Sequence, residues 1–319
     1  MLFYDFEVFQ EDWLVVINNP LTDEIIAIVN DRDQLQWFYD KHKNDVWIGY
    51  NSRHYDKFIL KGILAGLNPY KISQHIIEKK EHGSSYSSLM RNIQVFDFDV
   101  KTTMNGLKQL EGFMGESIKE TTVPFNIKRK LTDSEIQEVL EYCTHDVMQT
   151  RIVFENTSYE FESQVALLSA FDLPLEYISK TKAQLSAIVL GAVSHPFRGD
   201  EFDLQICDTI KLDKYKYIMD WYKNPVNLNR ESKLNVDVAN VPHTFAWGGL
   251  HGAIPKYKGT GIFVNVDVAS YYPSLMIEYG FSSRNIKNPN KYKEIYEERL
   301  RLKALKDPKQ APYKIVLRN

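Results

Sequence analysis

Three strand-patterned runs crowd the first 30 residues, and they constrain the fold more than any other feature of the chain. Phe3–Phe9, Trp13–Asn18 and Ile25–Val29 are rich in aromatic and β-branched residues, and turn-rich breaks such as Asn18-Asn19-Pro20 separate them. They predict three successive strands. Downstream the pattern alternates: a helix over Asp33–Lys43, a short buried strand at Val46–Tyr50, and a helix over Tyr55–Ala65 broken by Gly66 and Asn68-Pro69. Ile93–Phe98 is another strand. Thr132-Asp133-Ser134-Glu135 forms a capping box, with Leu131 and Ile136 placed as a hydrophobic staple, and opens a long helix to about Phe154. Strands first, then alternating helices and strands, predict an α/β domain over residues 1–155.

The rest of the chain is less regular. Gln164–Ala170 and Ala183–Ala192 carry helical patterns within a connecting region, 156–240, and the polar stretch Trp221–Asp237 reads as a link between domains. In 241–319, Gly248-Gly249 and Gly252 mark a tight loop, and Ile262–Val268 alternates as a strand that delivers Asp267. With 44% hydrophobic and 25% charged residues, the chain has enough apolar mass for real cores, which excludes disorder as its main character. No apolar run approaches the length of a membrane span, and the acidic start MLFYDFEVF is unlike a signal peptide. Cys143 and Cys207 are the only cysteines, so a disulfide framework or cysteine-rich zinc site is not available, and a reducing, cytoplasmic setting is expected. The net charge of −3 conceals an asymmetry: residues 281–319 carry eleven basic against four acidic groups, or +7, leaving −10 on the first 280. An acidic body with a basic end suits carboxylates gathered for metal and a surface for a polyanion.

The acidic residues fall in a definite order. Asp5 and Glu7, two apart on a predicted strand, project from one face. Asn51-Ser-Arg-His-Tyr55-Asp56 lies where a buried strand meets a helix, the place from which an open α/β sheet presents ligands to a crevice. Tyr142 and Asp146 are four apart on the capped helix and share a face. Taken singly, each of these groups is more often a solvated carboxylate, a helix-start cap or a boundary tyrosine. Their joint order is what carries chemistry. His145, beside Asp146, points to another helix face and reads as a surface histidine.

This combination resembles the DEDDy 3′–5′ exonuclease domain, a ribonuclease H-like fold of mixed sheet and flanking helices that serves as the proofreading module of DNA polymerases. Asp5 and Glu7 match its first motif, Asn51 to Asp56 its second, and Tyr142 with Asp146 its third. The resemblance implies that Asp5, Glu7, Asp56 and Asp146 hold two Mg²⁺ or Mn²⁺ ions, that Tyr142 orients the attacking water, and that Asn51 and Tyr55 contact a single-stranded 3′ end. Phosphodiester hydrolysis by two ions held by hard oxygen ligands fits that residue set.

Val266-Asp267-Val268-Ala269-Ser270-Tyr271-Tyr272-Pro273-Ser274 looks like motif A of family B DNA polymerases, D-x-x-S-L-Y-P-S, with Tyr271 in the leucine's place. By that resemblance Asp267 is a palm metal ligand and Tyr272 stacks under the sugar of an incoming nucleotide. Trp247-Gly248-Gly249 sits where the family carries a Y-x-G-G template-binding loop, with Ala246 in the tyrosine's place and Trp247 as its substitute aromatic. Arg299, Lys303 and Lys314 resemble the fingers residues that grip triphosphate, although Asn319 falls one place late for motif B. Motif C, with its Asp-Thr-Asp metal site, is absent.

The chain is therefore expected to be the N-terminal part of a family B polymerase of phage, viral or plasmid type. An exonuclease domain is followed by an incomplete palm and fingers, which do not polymerise DNA alone and need a C-terminal polymerase fragment as partner. DNA is the expected substrate, and deoxynucleoside triphosphate enters only in the complete enzyme. The first motif at residue 5 leaves no room for the N-terminal domain of cellular members. Only 47 residues separate Asp267 from Lys314, too few for the insertion of protein-primed members plus a fingers hairpin. The rivals are a stand-alone DEDDy exonuclease acting on RNA or oligonucleotides, a non-catalytic template-binding subunit of a split polymerase, and a fragment without function.

Overall fold

Strand β1 (Leu2–Val8) alternates between two cores, and that alternation decides where the acidic residues go. Leu2, Tyr4, Phe6 and Val8 enter one buried cluster and Phe3 enters the other. Asp5 and Glu7 share the Phe3 face, because side chains two apart on a strand project the same way. These features are those of a computed structural model, which describes residues 1–101, 103–196, 199–204 and 211–318. Cys207 and Asn319, both singled out from the sequence, lie outside the described residues.

β2 (Trp13–Asn19) and β3 (Glu24–Val29) continue from β1 as an antiparallel meander, with Asp5 opposite Val16 and Val16 opposite Ala27. Helix α1 (Arg32–His42) returns the chain so that β4 (Val46–Gly49) runs parallel to β1. Helices α2 (Asp56–Leu64) and α3 (Pro69–Ile77) lead to β5 (Phe96–Asp99), parallel to β4. The mixed sheet has the order β3-β2-β1-β4-β5. Apolar residues of α1, α2 and α3 cover one face, around the fully buried Trp47 and Tyr4. Burying each such side chain contributes about 1.5–3 kcal/mol. Gly49 ends β4 where a Cβ would lie 2.6 Å from that of Ser52, so the turn into α2 closes only on glycine.

The other face is covered by α5 (Asp133–Asn156), which follows the shorter α4 (Leu107–Met114). The capping box at its start is present: Thr132 Oγ1 accepts from the Glu135 N–H at 3.3 Å, and Glu135 Oε2 accepts from the Thr132 N–H at 2.8 Å. Arg129 clamps the same carboxylate through two nitrogens at 2.8 and 2.9 Å, and Leu131 and Ile136 join the core as the staple. Thr132→Ala is expected to cost about 1 kcal/mol of stability, seen as a lower urea midpoint at unchanged slope. Two-step or slope-changing unfolding would show that the cap does more than end the helix. Helices α6 (Ser158–Ala170) and α7 (Lys182–Val189) share this core with residues near the end of the chain, among them Ile295 and Val316.

The chain divides into two compact units, Met1–Val193 together with the segment from Leu275, and Ser194–Ser274. In the second, α8 (Lys216–Lys223) precedes an antiparallel sheet of β6 (Lys233–Val238), β7 (Val241–Ala246) and β8 (Gly249–Gly252). Trp221–Asp237, expected as a link, thus holds the end of α8 and most of β6. Ile262–Val268, expected as a strand, has no strand pairing among the described residues, and Ile262 and Val266 are 97% and 84% exposed. Alternation marks two faces, but a strand forms only where a neighbour takes up its backbone hydrogen bonds. Helix α9 (Tyr271–Glu278) follows, then α10 (Pro289–Ala304) and α11 (Gln310–Arg318). Among the described residues, no helix is long and apolar enough to cross a membrane.

Candidate active site

β1 and β4 pair only at Leu2–Trp47 and Phe3–Ile48, then part. The parting leaves a crevice at the carboxyl ends of both strands, the usual position of a site in an open α/β sheet. Asp56, the first residue of α2, occupies it: its Oδ1 accepts from the Phe6 N–H at 3.1 Å, a donor that β4 no longer reaches. Glu7, Asp56 and Asp146 are all at most 9% exposed. From the Phe3 face α5 brings Tyr142 and Asp146, and between them Cys143, whose buried thiol lies 3.5 Å from Asp5 Oδ2. Ligand atoms of Asp5, Glu7 and Cys143 all lie within 4.8 Å of one another.

Such crowding has an electrostatic cost. Burial, followed by the charge of Asp146, pushes the Asp5 carboxyl up to about 7, although the Cys143 thiol and Lys108 pull the other way. Burial raises Glu7 well above the usual carboxylate range, and Asp5, Asp146 and Asp56 add to the shift. Asp56 is raised by burial and then by Asp5; Asp146 is raised by burial against the pull of Lys108. Each of the four carboxylates thus meets repulsion from others of the set, which is relieved by protonation or by a cation. Tyr142 is held far above its ordinary value by burial and Asp146, so it stays a neutral hydroxyl donor. The donor set is one of hard oxygens and fits Mg²⁺ or Mn²⁺. Cys143 offers no competing thiolate, because burial and Asp5 keep it protonated.

Sequence reasoning missed Lys108 and Glu111, both on α4. The Lys108 ammonium contacts Asp146 Oδ1 directly, lies 3.5 Å from Glu111 Oε1, and sits 4.8 Å from the centre of the Tyr142 ring. Glu111 is fully buried, and His145 Nε2 approaches its other oxygen at 3.4 Å. His145 is thus half-buried against a carboxylate rather than a surface histidine. The one available signal was the i, i+3 spacing of Lys108 and Glu111 beside the apolar Leu107 and Leu110.

Asn51 follows β4 in the left-handed region, φ +63°, its N–H donating to Asp99 at 2.8 Å. Tyr55 donates its hydroxyl to Ser73 Oγ at 2.9 Å and lines a cavity of about 420 Å³ that opens on Glu7, walled also by Tyr70, Phe125 and Ile77. The residues assigned to polymerase roles lie apart from this crevice in the sequence and divide between the units. Trp247 belongs to an aromatic cluster with Phe202 and Tyr222, ring centres 5.1 and 5.2 Å away, and its Nε1–H donates to the Asn227 carbonyl at 2.6 Å. Gly248 lies in the turn before β8 and Gly249 begins that strand. Asp267 is exposed, as is Tyr272, both in the second unit, whereas Arg299, Lys303 and Lys314 belong to the first, on α10 and α11. A cavity of about 950 Å³ on the second unit's sheet includes His243 and His251. Their registers, opposite Gly252 and Thr244, send them to opposite faces, so they do not form a ligand pair. Comparison with protein families, with curated proteins and with solved structures returns no match.

Proposed function

We propose that the crevice is the active site of a two-metal 3′–5′ exonuclease acting on single-stranded DNA ends. The observation that carries this reading is the gathering of Asp5, Glu7, Asp56 and Asp146, from three distant segments, into one buried set of mutually repelling carboxylates. With its carboxylates ionised, such a set calls for a compensating cation. Asp5, Glu7, Asp56 and Asp146 would hold two divalent ions, which would activate water as the nucleophile and offset the charge on a departing 3′-oxygen. Tyr142, a neutral hydroxyl at the edge of the set, donates a hydrogen bond that orients the attacking water. The aromatic cavity beside Glu7 gives unpaired bases surfaces on which to stack, which favours a frayed or single-stranded end over a duplex.

In the wider reading the chain is the N-terminal part of a family B polymerase with a ribonuclease H-like exonuclease domain. Asp267 would be one ligand of the palm metals, with Tyr272 under the sugar of the incoming nucleotide. Arg299, Lys303 and Lys314 would face the triphosphate, and Gly248 and Gly249 the template. The exposure of Ile262, Val264 and Val266 supports a C-terminal polymerase fragment that pairs with and covers this segment.

A 5′-labelled single-stranded oligonucleotide tests the nuclease reading. Stepwise shortening from the 3′ end with Mg²⁺ or Mn²⁺, stopped by a chelator, is expected. Tyr142→Phe should slow it roughly 10- to 100-fold with little change in KM. A faster reaction on RNA would favour a stand-alone exonuclease, and endonucleolytic products or none from folded protein would remove the proposal.

A further inference from the structure

The cation that faces the carboxylates in this structure is a side chain. Lys108 reaches from α4 to Asp146 while Glu111, one turn on along the same helix, waits 3.5 Å from the same ammonium. We propose that Lys108 is a tethered counter-ion that a divalent metal must displace from Asp146, and that Glu111 receives it. The inference rests on the metal-site reading above and extends it to what sets metal affinity.

Two features support the displacement. Glu111 has no exposed surface, yet its Oε1 accepts no hydrogen bond. A buried carboxylate oxygen without a donor is costly, and movement of Lys108 toward Glu111 supplies the missing bond. The spacing of the two residues on α4 lets this happen by side-chain rotation alone, with the backbone fixed. Lys108 also opposes the burial and repulsion felt at Asp5, Glu7 and Asp146, so it serves the crevice as a whole before an ion arrives. A metal arriving at Asp146 meets a site already neutralised in part, and its affinity is what remains after the lysine has been moved.

The test is Mn²⁺ affinity of the full chain, followed by electron paramagnetic resonance without any substrate. Lys108→Met is expected to bind Mn²⁺ at least about tenfold more tightly, because an opposing charge a few ångströms away is removed. Glu111→Gln should bind about tenfold more weakly, and that loss should vanish when Lys108→Met is also present, since Glu111 acts through the lysine. Equal or weaker binding by Lys108→Met would overturn the proposal, as would a Glu111→Gln loss of the same size in both backgrounds. If neither the parent nor Lys108→Met binds Mn²⁺, the metal-site reading falls as well; if the parent binds and Lys108→Met binds no better, only the displacement falls. Should the lysine variant not fold, a Mg²⁺-soaked crystal of the parent decides. The ammonium is expected off Asp146 and hydrogen-bonded to Glu111, and an ammonium still on Asp146 beside a bound ion would refute the idea.

Discussion

Asp5→Asn should lower the rate of 3′-end shortening at least about a thousandfold, on the order of 4 kcal/mol of transition-state stabilisation, while raising the stability of the metal-free protein. The pairing of a loss with a gain is the informative part. Asp5 lies at the centre of the crevice, within reach of Glu7, with Asp146 the charge that most opposes its ionisation. The amide keeps the shape of the side chain, and it can still take the Cys143 thiol as a neighbour. It removes one negative charge from a site where charges repel, so folding becomes easier as metal holding is lost. A substitution that acted by damaging the core would lose activity and stability together. Activity within tenfold of the parent, measured on folded protein with saturating Mn²⁺, would exclude Asp5 from the metal set. Asp146→Asn should give a similar loss of rate with a smaller gain in stability, because it also removes the ion pair between Lys108 and Asp146.

Much of this site was legible because each acidic position sits on an element with a strong local signal. The alternation of β1 put Asp5 and Glu7 on one face, and the Thr132–Glu135 box gave the start, and hence the phase, of the helix that aligns Tyr142 with Asp146. Helix α3 is hidden in the sequence because Asn68-Pro69 reads equally as the stop of α2. Asn68 is the cap of the next helix, accepting from Lys71 N–H, and Pro69 is its first residue, where a missing N–H costs nothing. The buried role of Glu111 was invisible for a different reason. Glutamate is almost never fully buried unless paired, and while Lys108 is its i−3 neighbour on α4, Glu111 becomes buried beside His145 only when α4 packs on α5. Ile262–Val268 failed the other way: a correct local alternation, with no neighbouring strand among the described residues to make it a sheet.

Metal-free protein should lose stability as pH rises from about 5.5 to 8, and saturating Mg²⁺ or Mn²⁺ should remove that slope. Asp5 goes from an ordinary carboxylate in the unfolded chain to about 7 in the folded one. A group whose folded value is raised favours the folded state fully below its unfolded value and loses that contribution as pH climbs through the folded one. Glu7, Asp56 and Asp146 are shifted in the same direction, so their contributions have the same sign. Carboxylates held low by ion pairs or hydrogen bonds, such as Asp45 and Glu135, act oppositely, but only in acid, below the window in question. Asp99, also raised by burial, adds to the crevice carboxylates, while Lys57 and Lys61, lowered by burial, act with the opposite sign; each carboxylate proton released contributes a slope of up to about 1.4 kcal/mol per pH unit. Asp5→Asn should flatten the profile by as much as one proton. Calorimetry of Mn²⁺ binding near pH 6.5, in buffers of different ionisation heat, should show protons leaving as the ion enters, because the same carboxylates cannot hold both. A thermal midpoint that is flat or rising across this window, with no proton release, would mean that the four carboxylates are already compensated without metal, and Lys108 would be too small a charge to account for it.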